Sequence, residues 1–142
     1  MREVVQGRHG ELVDEFLDEV RGTSLEQWRV FATHSVPSEA DVEAARATTD
    51  VKLSAATLTS MNAAATNAYR SLGLDRSMFE SRLYPSRIAT SIRVASRAIA
   101  GHDQLDPRHL ETLLRPFAAI GFTSATRLLA SEDGRRCPRH PG

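Results

Sequence analysis

The chain has 142 residues, a length that favours one domain, and its 41% apolar content is enough to build one hydrophobic core. Its 18 basic and 18 acidic residues give a net charge of zero, which argues against a general nucleic-acid binder. A single cysteine excludes an internal disulfide framework, and no apolar run is long enough to span a bilayer. Residues 1–16 lack the apolar core of a signal peptide, so we expect a soluble, cytoplasmic protein without a membrane partner.

The net charge of zero conceals an uneven distribution of charge along the sequence. Residues 1–50 contain eleven acidic residues and five arginines, a net charge of −6. Residues 51–142 contain seven acidic and thirteen basic residues, a net charge of +6. Five of the acidic residues lie in the first predicted helix, Gly10–Arg21, opposite its apolar stripe. Carboxylates at this helical spacing repel one another, so this face is either a solvated surface or a docking face for a basic partner.

The second predicted helix contains the only tryptophan. Gly22 is predicted to end the first helix, and Thr23 or Ser24 to cap the start of the next. Trp28 lies in this second helix with Phe31. A tryptophan here is typical of a core anchor whose ring nitrogen is hydrogen-bonded at the edge of the core, and stacking on a ligand is the alternative.

The segment Ser38–Leu72 contains no Pro or Gly and is predicted to be a long central helix against which the others pack. Ser38 followed by Asp41 resembles a capping box, and Gly73 is a stop signal. Thr48–Asp50 are poor helix formers, so two helices, roughly 38–48 and 50–72, are the alternative. Steps of three and four residues predict one buried stripe, formed by Val51, Ala55, Leu58, Asn62, Ala65, Tyr69 and Leu72. Asn62 is either buried in this stripe, where it would fix the register of packing, or lies at its edge in contact with water.

Four shorter helices are predicted after this segment. They run from Asp75 to Leu83, from Ser86 to Ala100, from Asp106–Pro107 to about Gly121, and from Thr123 to Ala130. Residues 131–142 are predicted to be a disordered tail, which leaves 1–130 as a single helical domain. The predicted fold is therefore an all-α bundle of about five to seven helices.

The helix Ser86–Ala100 carries the most distinctive basic feature of the chain. The stretch from Arg82 to Gly101 contains four arginines and no acidic residue. Arg93 and Arg97 lie one helical turn apart, a spacing that suits joint binding of a carboxylate or phosphate. Two interpretations are open: the arginines face the acidic N-terminal half of the same molecule, or they bind an external anion or acidic partner. The candidate anion- or partner-binding residues are Arg87, Arg93 and Arg97.

No motif in the sequence indicates catalysis, a metal site or a cofactor. Cys137 and His140 have a ligand-like spacing, but there is no second cysteine. The leading hypothesis is a non-enzymatic adaptor, regulator or assembly partner that acts through protein–protein contacts, including self-association as a homodimer. A DNA-binding regulator is less favoured, because Pro85 interrupts the candidate helix-turn-helix. The alternative is binding of a small molecule, whether neutral or anionic, in a cavity between helices; an anionic group would be held by Arg93 or Arg97. The aromatic residues that could line this cavity are Trp28, Phe31, Tyr69, Phe79 and Tyr84.

Overall fold

A computed structural model describes the backbone of residues 2–34, 38–47, 53–76 and 85–136. The described side chains are those of residues 12–34, 38–47, 53–76, 85–102 and 104–130. Within these ranges the chain forms seven α-helices, one short 3-10 helix and no strand. The predicted all-α fold is confirmed. The α-helices are α1 (Arg2–Arg21), α2 (Leu25–Phe31), α3 (Glu39–Arg46), α4 (Ala55–Gly73), α5 (Pro85–Ala100), α6 (Pro107–Ala119) and α7 (Thr123–Arg136).

Short polar side chains cap the N-termini of several of these helices. The Ser24 hydroxyl accepts a hydrogen bond from the backbone amide of Gln27 at 3.2 Å, and Gln27 completes a capping box. Ser38 and Asp41 form the same box at the start of α3. Asp106 caps α6, and proline stands at the first helical position that follows. Each of these starts agrees with a local signal in the sequence.

The single helix predicted over Ser38–Leu72 is wrong, and the two-helix alternative is correct. α3 ends with Ala47 as its C-terminal cap. α4 begins after Ser54, whose hydroxyl accepts a hydrogen bond from the amide of Thr57 at 3.1 Å. Serine competes for backbone hydrogen bonds and therefore favours a cap over a helix interior. Thr48–Asp50, the predicted breakpoint, lie outside the described residues, between the two caps.

The central helix of the bundle is α5. It packs against α1, α3, α4 and α6. Ten of its sixteen residues are buried, half of them Ala or Ser, and small side chains let neighbouring helices approach closely. The buried Ser96 hydroxyl donates a hydrogen bond to the Ile92 carbonyl oxygen at 2.8 Å, so no polar atom of that side chain is left unsatisfied.

The buried stripe of α4 differs from the predicted one. Only Ala65 and Leu72 of the predicted set are buried; Leu58 is half-buried, and three others are exposed: Ala55, Asn62 and Tyr69. Val51 lies outside the described residues. Because alanine and threonine occupy both faces of this helix, hydrophobic periodicity does not distinguish between neighbouring stripes. The residues that α4 buries are Thr57, Met61, Ala64, Ala65, Ala68 and Leu72.

Five aromatic rings fill the core where α1, α2 and α6 meet the start of α7. Phe117 is at their centre, with its ring centroid 4.7 Å from that of Phe31 and 5.0 Å from that of Phe16. The rings of Phe122 and Trp28 lie 5.3 Å and 6.4 Å from it. Edge-on and tilted ring contacts at these distances are the favoured arrangements for aromatic side chains. Trp28 is therefore a core anchor.

The last helix is longer than predicted. α7 continues past Ala130 to Arg136, so the backbone of residues 131–136 is helical rather than disordered. Extending an existing helix costs little, because each added residue makes one more backbone hydrogen bond. Residues 137–142 lie outside the described part of the chain, and the boundary between a domain and a tail stays a prediction.

Candidate functional site

α4 and α5 pack against each other and together form a layer without acidic side chains. Their described ranges, Ala55–Gly73 and Pro85–Ala100, contain four arginines and no Asp or Glu. Three of these arginines are exposed and Arg93 is half-buried. The surface of this layer therefore carries only positive formal charge. We call the part of this surface around Arg93 the basic face and define it by Asn62, Tyr69, Arg93 and Arg97.

Arg93 is the best-positioned side chain of the basic face. Its Nε donates a hydrogen bond to Oδ1 of Asn62 on α4, at 3.3 Å. This contact orients the guanidinium group, and its two terminal nitrogens form no hydrogen bond or ion pair with any other described residue. A guanidinium held through Nε can still donate two parallel hydrogen bonds to a carboxylate or phosphate. Arg97 follows one turn later and is exposed.

Tyr69 extends the basic face along α4. It lies seven residues, about two turns, after Asn62 and therefore on the same side of that helix. Its side chain is 49% exposed. Tyrosine and arginine are both enriched at protein–protein interfaces. Arg87 is also exposed, but it projects from a different part of the α5 circumference than Arg93 and Arg97.

Among the described side chains, two acidic residues of α1, Glu15 and Glu19, contact α7 and not the arginines of α5. Glu15 forms an ion pair with Arg127 of α7. The Glu19 carboxylate accepts hydrogen bonds from the backbone amides of Thr123 and Ser124 at 2.7 Å and 3.1 Å, and from the Ser124 hydroxyl at 2.5 Å. Glu19 thus caps the start of α7. In the part of the chain that is described, no acidic side chain of α1 forms an ion pair with an arginine of α5.

A largely buried carboxylate–imidazole pair joins α3 to α6. Oδ1 of Asp41 lies 2.7 Å from Nδ1 of His109. Oδ2 of Asp41 accepts hydrogen bonds from the Ser38 hydroxyl at 2.8 Å and from the Ser38 amide at 3.1 Å. The Asp41 side chain is only 12% exposed, and that of His109 is 34% exposed. Burial raises the pKa of Asp41, but the hydrogen bonds from His109 and Ser38 outweigh it and hold this pKa below its ordinary value.

Asp41 orients the His109 ring in the way that carboxylates orient histidines at metal and catalytic sites. Further ligands or a nucleophile would have to complete such a site. Among the described side chains, no three His, Cys, Asp or Glu residues come close enough to hold a metal ion. The Ser38 hydroxyl binds the carboxylate of Asp41 rather than the imidazole, so it is not activated by His109. We interpret the pair as a structural link between α3 and α6.

This link predicts a distinctive titration of Asp41. Because its pKa is lower in the folded protein than in the unfolded chain, ionised Asp41 stabilises the fold above about pH 4. That stabilisation is lost as the pH falls through the folded-state pKa. NMR titration of the Asp41 carboxyl carbon should give a midpoint below about 3.9, the ordinary aspartate value. The midpoint should rise in His109→Ala and stay unchanged in Thr112→Ala, an exposed position on the same helix. A wild-type midpoint at or above 3.9 would contradict this account.

Of the five aromatic residues predicted to line a ligand cavity, three are described, and they differ in their surroundings. Trp28 and Phe31 pack ring against ring in the core, with centroids 5.4 Å apart, whereas Tyr69 lies on the basic face. Phe79 and Tyr84 fall outside the described residues, as do Cys137 and His140. A ligand cavity lined by these residues stays a prediction.

No model of a known protein family, no curated protein and no solved structure matches this chain. Among the helices with described residues, none is both long enough and apolar enough to cross a bilayer. A function therefore has to be argued from the geometry of the chain itself.

Proposed function

We propose that this protein is a non-enzymatic binding module that recognises an acidic protein surface through its basic face. One observation carries the proposal. The acidic side chains Glu15 and Glu19 of α1 have partners on α7, whereas Arg87 and Arg97 form no ion pair within the described residues. Among the described side chains, none of α1 neutralises the basic charge of α5, and we infer that this charge is available to a partner.

The composition of the basic face favours a protein partner. Arginine and tyrosine are the residues most enriched among those that contribute strongly to binding at protein interfaces. A nucleic acid is the less suitable partner, because its affinity depends on many phosphate contacts and the chain has no excess of positive charge. Complementary charge across an interface mainly accelerates encounter and selects the partner.

The rigidity of the site supports the same conclusion. α5 is buried along most of its length, so the backbone that carries Arg93 and Arg97 is fixed by the core. The hydrogen bond that Arg93 donates to Asn62 further restricts the Arg93 side chain. Ordering of side chains opposes binding, and groups that are already held lose less entropy when they bind. The arginines of the basic face are thus held in position for the carboxylates of a partner before binding.

An affinity capture experiment tests the proposal. The tagged protein, the double variant Arg93→Gln/Arg97→Gln and the control Arg46→Gln/Arg108→Gln would be incubated with host lysate, and bound proteins identified by mass spectrometry. The control removes two exposed arginines from α3 and α6. We expect acidic proteins to be retained by wild type and control and lost from the double variant. For a purified partner, losing both arginines should weaken affinity about tenfold, which corresponds to about 1.4 kcal/mol.

Two outcomes would overturn the proposal. The first is an identical set of bound proteins for all three versions, provided circular dichroism shows that each is folded. The second is binding of a labelled DNA or RNA duplex by wild type that the double variant loses, with no acidic protein captured. In that case the basic face binds phosphates of a nucleic acid.

A further inference from the structure

The surface of this chain carries one pair of basic residues and one pair of acidic residues with the same spacing along their helices. Arg93 and Arg97 are four residues apart on α5, and Asp14 and Asp18 are four residues apart on α1. Each pair occupies one side of its helix, with one helical turn between its members. Both aspartates are exposed, and the Asp18 side chain is 78% exposed. The described contacts of Asp18 are with Arg21 of its own helix, at 3.1 Å.

The two pairs do not meet within one molecule. α1 and α5 are in contact, but α1 packs through its apolar side, with Val13, Phe16 and Leu17 fully buried. The aspartates therefore lie on the outer side of α1, away from the core. Among the described residues, no hydrogen bond or ion pair joins these aspartates to these arginines. A second copy can bring them together.

We propose that the basic face binds a second copy of this chain, with Asp14 and Asp18 of one copy against Arg93 and Arg97 of the other. This proposal rests on the function proposed above and names the acidic partner surface. Charge complementarity is the argument: the two pairs have equal and opposite charge and equal spacing. A net charge of zero also means that two copies approach each other without overall repulsion.

The contact joins different surfaces of the two copies. If a twofold axis relates the copies, the contact forms twice and closes a dimer; otherwise the copies associate head to tail. In either arrangement the association is electrostatic and sensitive to salt. The Debye length falls from about 30 Å at 0.01 M salt to about 3 Å at 1 M, so association should be strongest at low salt.

A charge-exchange experiment tests this contact. One variant is Asp14→Arg/Asp18→Arg and the other is Arg93→Glu/Arg97→Glu, so that in each variant alone both surfaces carry the same sign. Sedimentation at about 0.01 M salt should show self-association of wild type and at least about tenfold weaker association of each variant. Mixing the two variants should restore association, because each surface then meets its opposite. The double variant Arg46→Glu/Arg108→Glu, which reverses two arginines outside the basic face, should associate as wild type does.

The proposal is overturned if wild type sediments as a monomer at low salt, or if the mixture associates no better than the separate variants. Circular dichroism of each variant establishes that it is folded. The outcome is independent of the capture experiment. If the mixture fails but acidic host proteins are lost from Arg93→Gln/Arg97→Gln, the basic face binds a different protein and the proposed function stands.

Discussion

Replacement of Phe117 by alanine should lower the free energy of unfolding by about 3–5 kcal/mol, the range found for buried phenylalanines. Phe117 is fully buried, and its ring contacts four other aromatic rings. Removing it leaves a cavity that the surrounding helices can close only in part. The free energy of unfolding of a small domain is typically about 5–15 kcal/mol, so this loss is a large share of it.

Urea denaturation followed by circular dichroism measures this loss. The midpoint should shift while the slope of the transition stays constant, since a changed slope indicates a change in the denatured state. Tyr69→Ala is the matched control, because it removes an aromatic ring from an exposed position. It should change the free energy of unfolding by no more than about 0.5 kcal/mol. Equal losses in the two variants would show that the aromatic cluster is not the core.

Replacement of Glu19 by alanine should be the most destabilising change of a partly exposed side chain, at about 1–3 kcal/mol. The carboxylate satisfies two backbone amides at the start of α7 and the hydroxyl of Ser124, which is buried. A negative charge at a helix N-terminus is also favoured by the helix dipole. Alanine leaves the amides and the hydroxyl without this acceptor.

Hydrogen exchange resolves where this stability is lost. In Glu19→Ala, the amides at the start of α7 should exchange faster than in wild type, and the urea midpoint should fall. Glu43→Ala removes an exposed glutamate from α3 and is expected to leave both measurements nearly unchanged. Glu19→Gln keeps an acceptor oxygen but removes the charge. Its loss of free energy of unfolding should therefore lie between those of Glu43→Ala and Glu19→Ala. If Glu19→Ala behaves like Glu43→Ala, the contact does not stabilise α7.

The features that could be predicted from the sequence are those encoded by neighbouring residues. The capping boxes at Ser24 and Ser38 and the start of α6 at Asp106 each involve residues no more than three positions apart. Local signals of this kind specify where a helix begins whatever it packs against. They also predicted the all-α fold, because each helix carries its own apolar side.

The features that the sequence did not predict depend on contacts between distant residues. Asp41 and His109 are 68 positions apart, and Arg93 and Asn62 are 31 positions apart. For Asn62 the sequence left two positions open, one buried in the stripe and one at its edge in contact with water; the structure places it at the surface, where it orients Arg93. The arginines of the candidate site were identified from the missing acidic neighbours. The contact between Arg93 and Asn62 could not be predicted, because it depends on how α4 and α5 pack against each other.

The link between Glu19 and α7 also affects the order in which the chain can be assembled. The carboxylate and the amide of Thr123 are 104 residues apart. Contacts between residues so distant are slow to form, because the entropy of closing a long loop is lost before the contact contributes. During synthesis α1 leaves the ribosome well before α7 exists, so Glu19 remains without this partner until α7 has been made. The contact that caps α7 therefore cannot form until nearly the whole of the described chain has been synthesised.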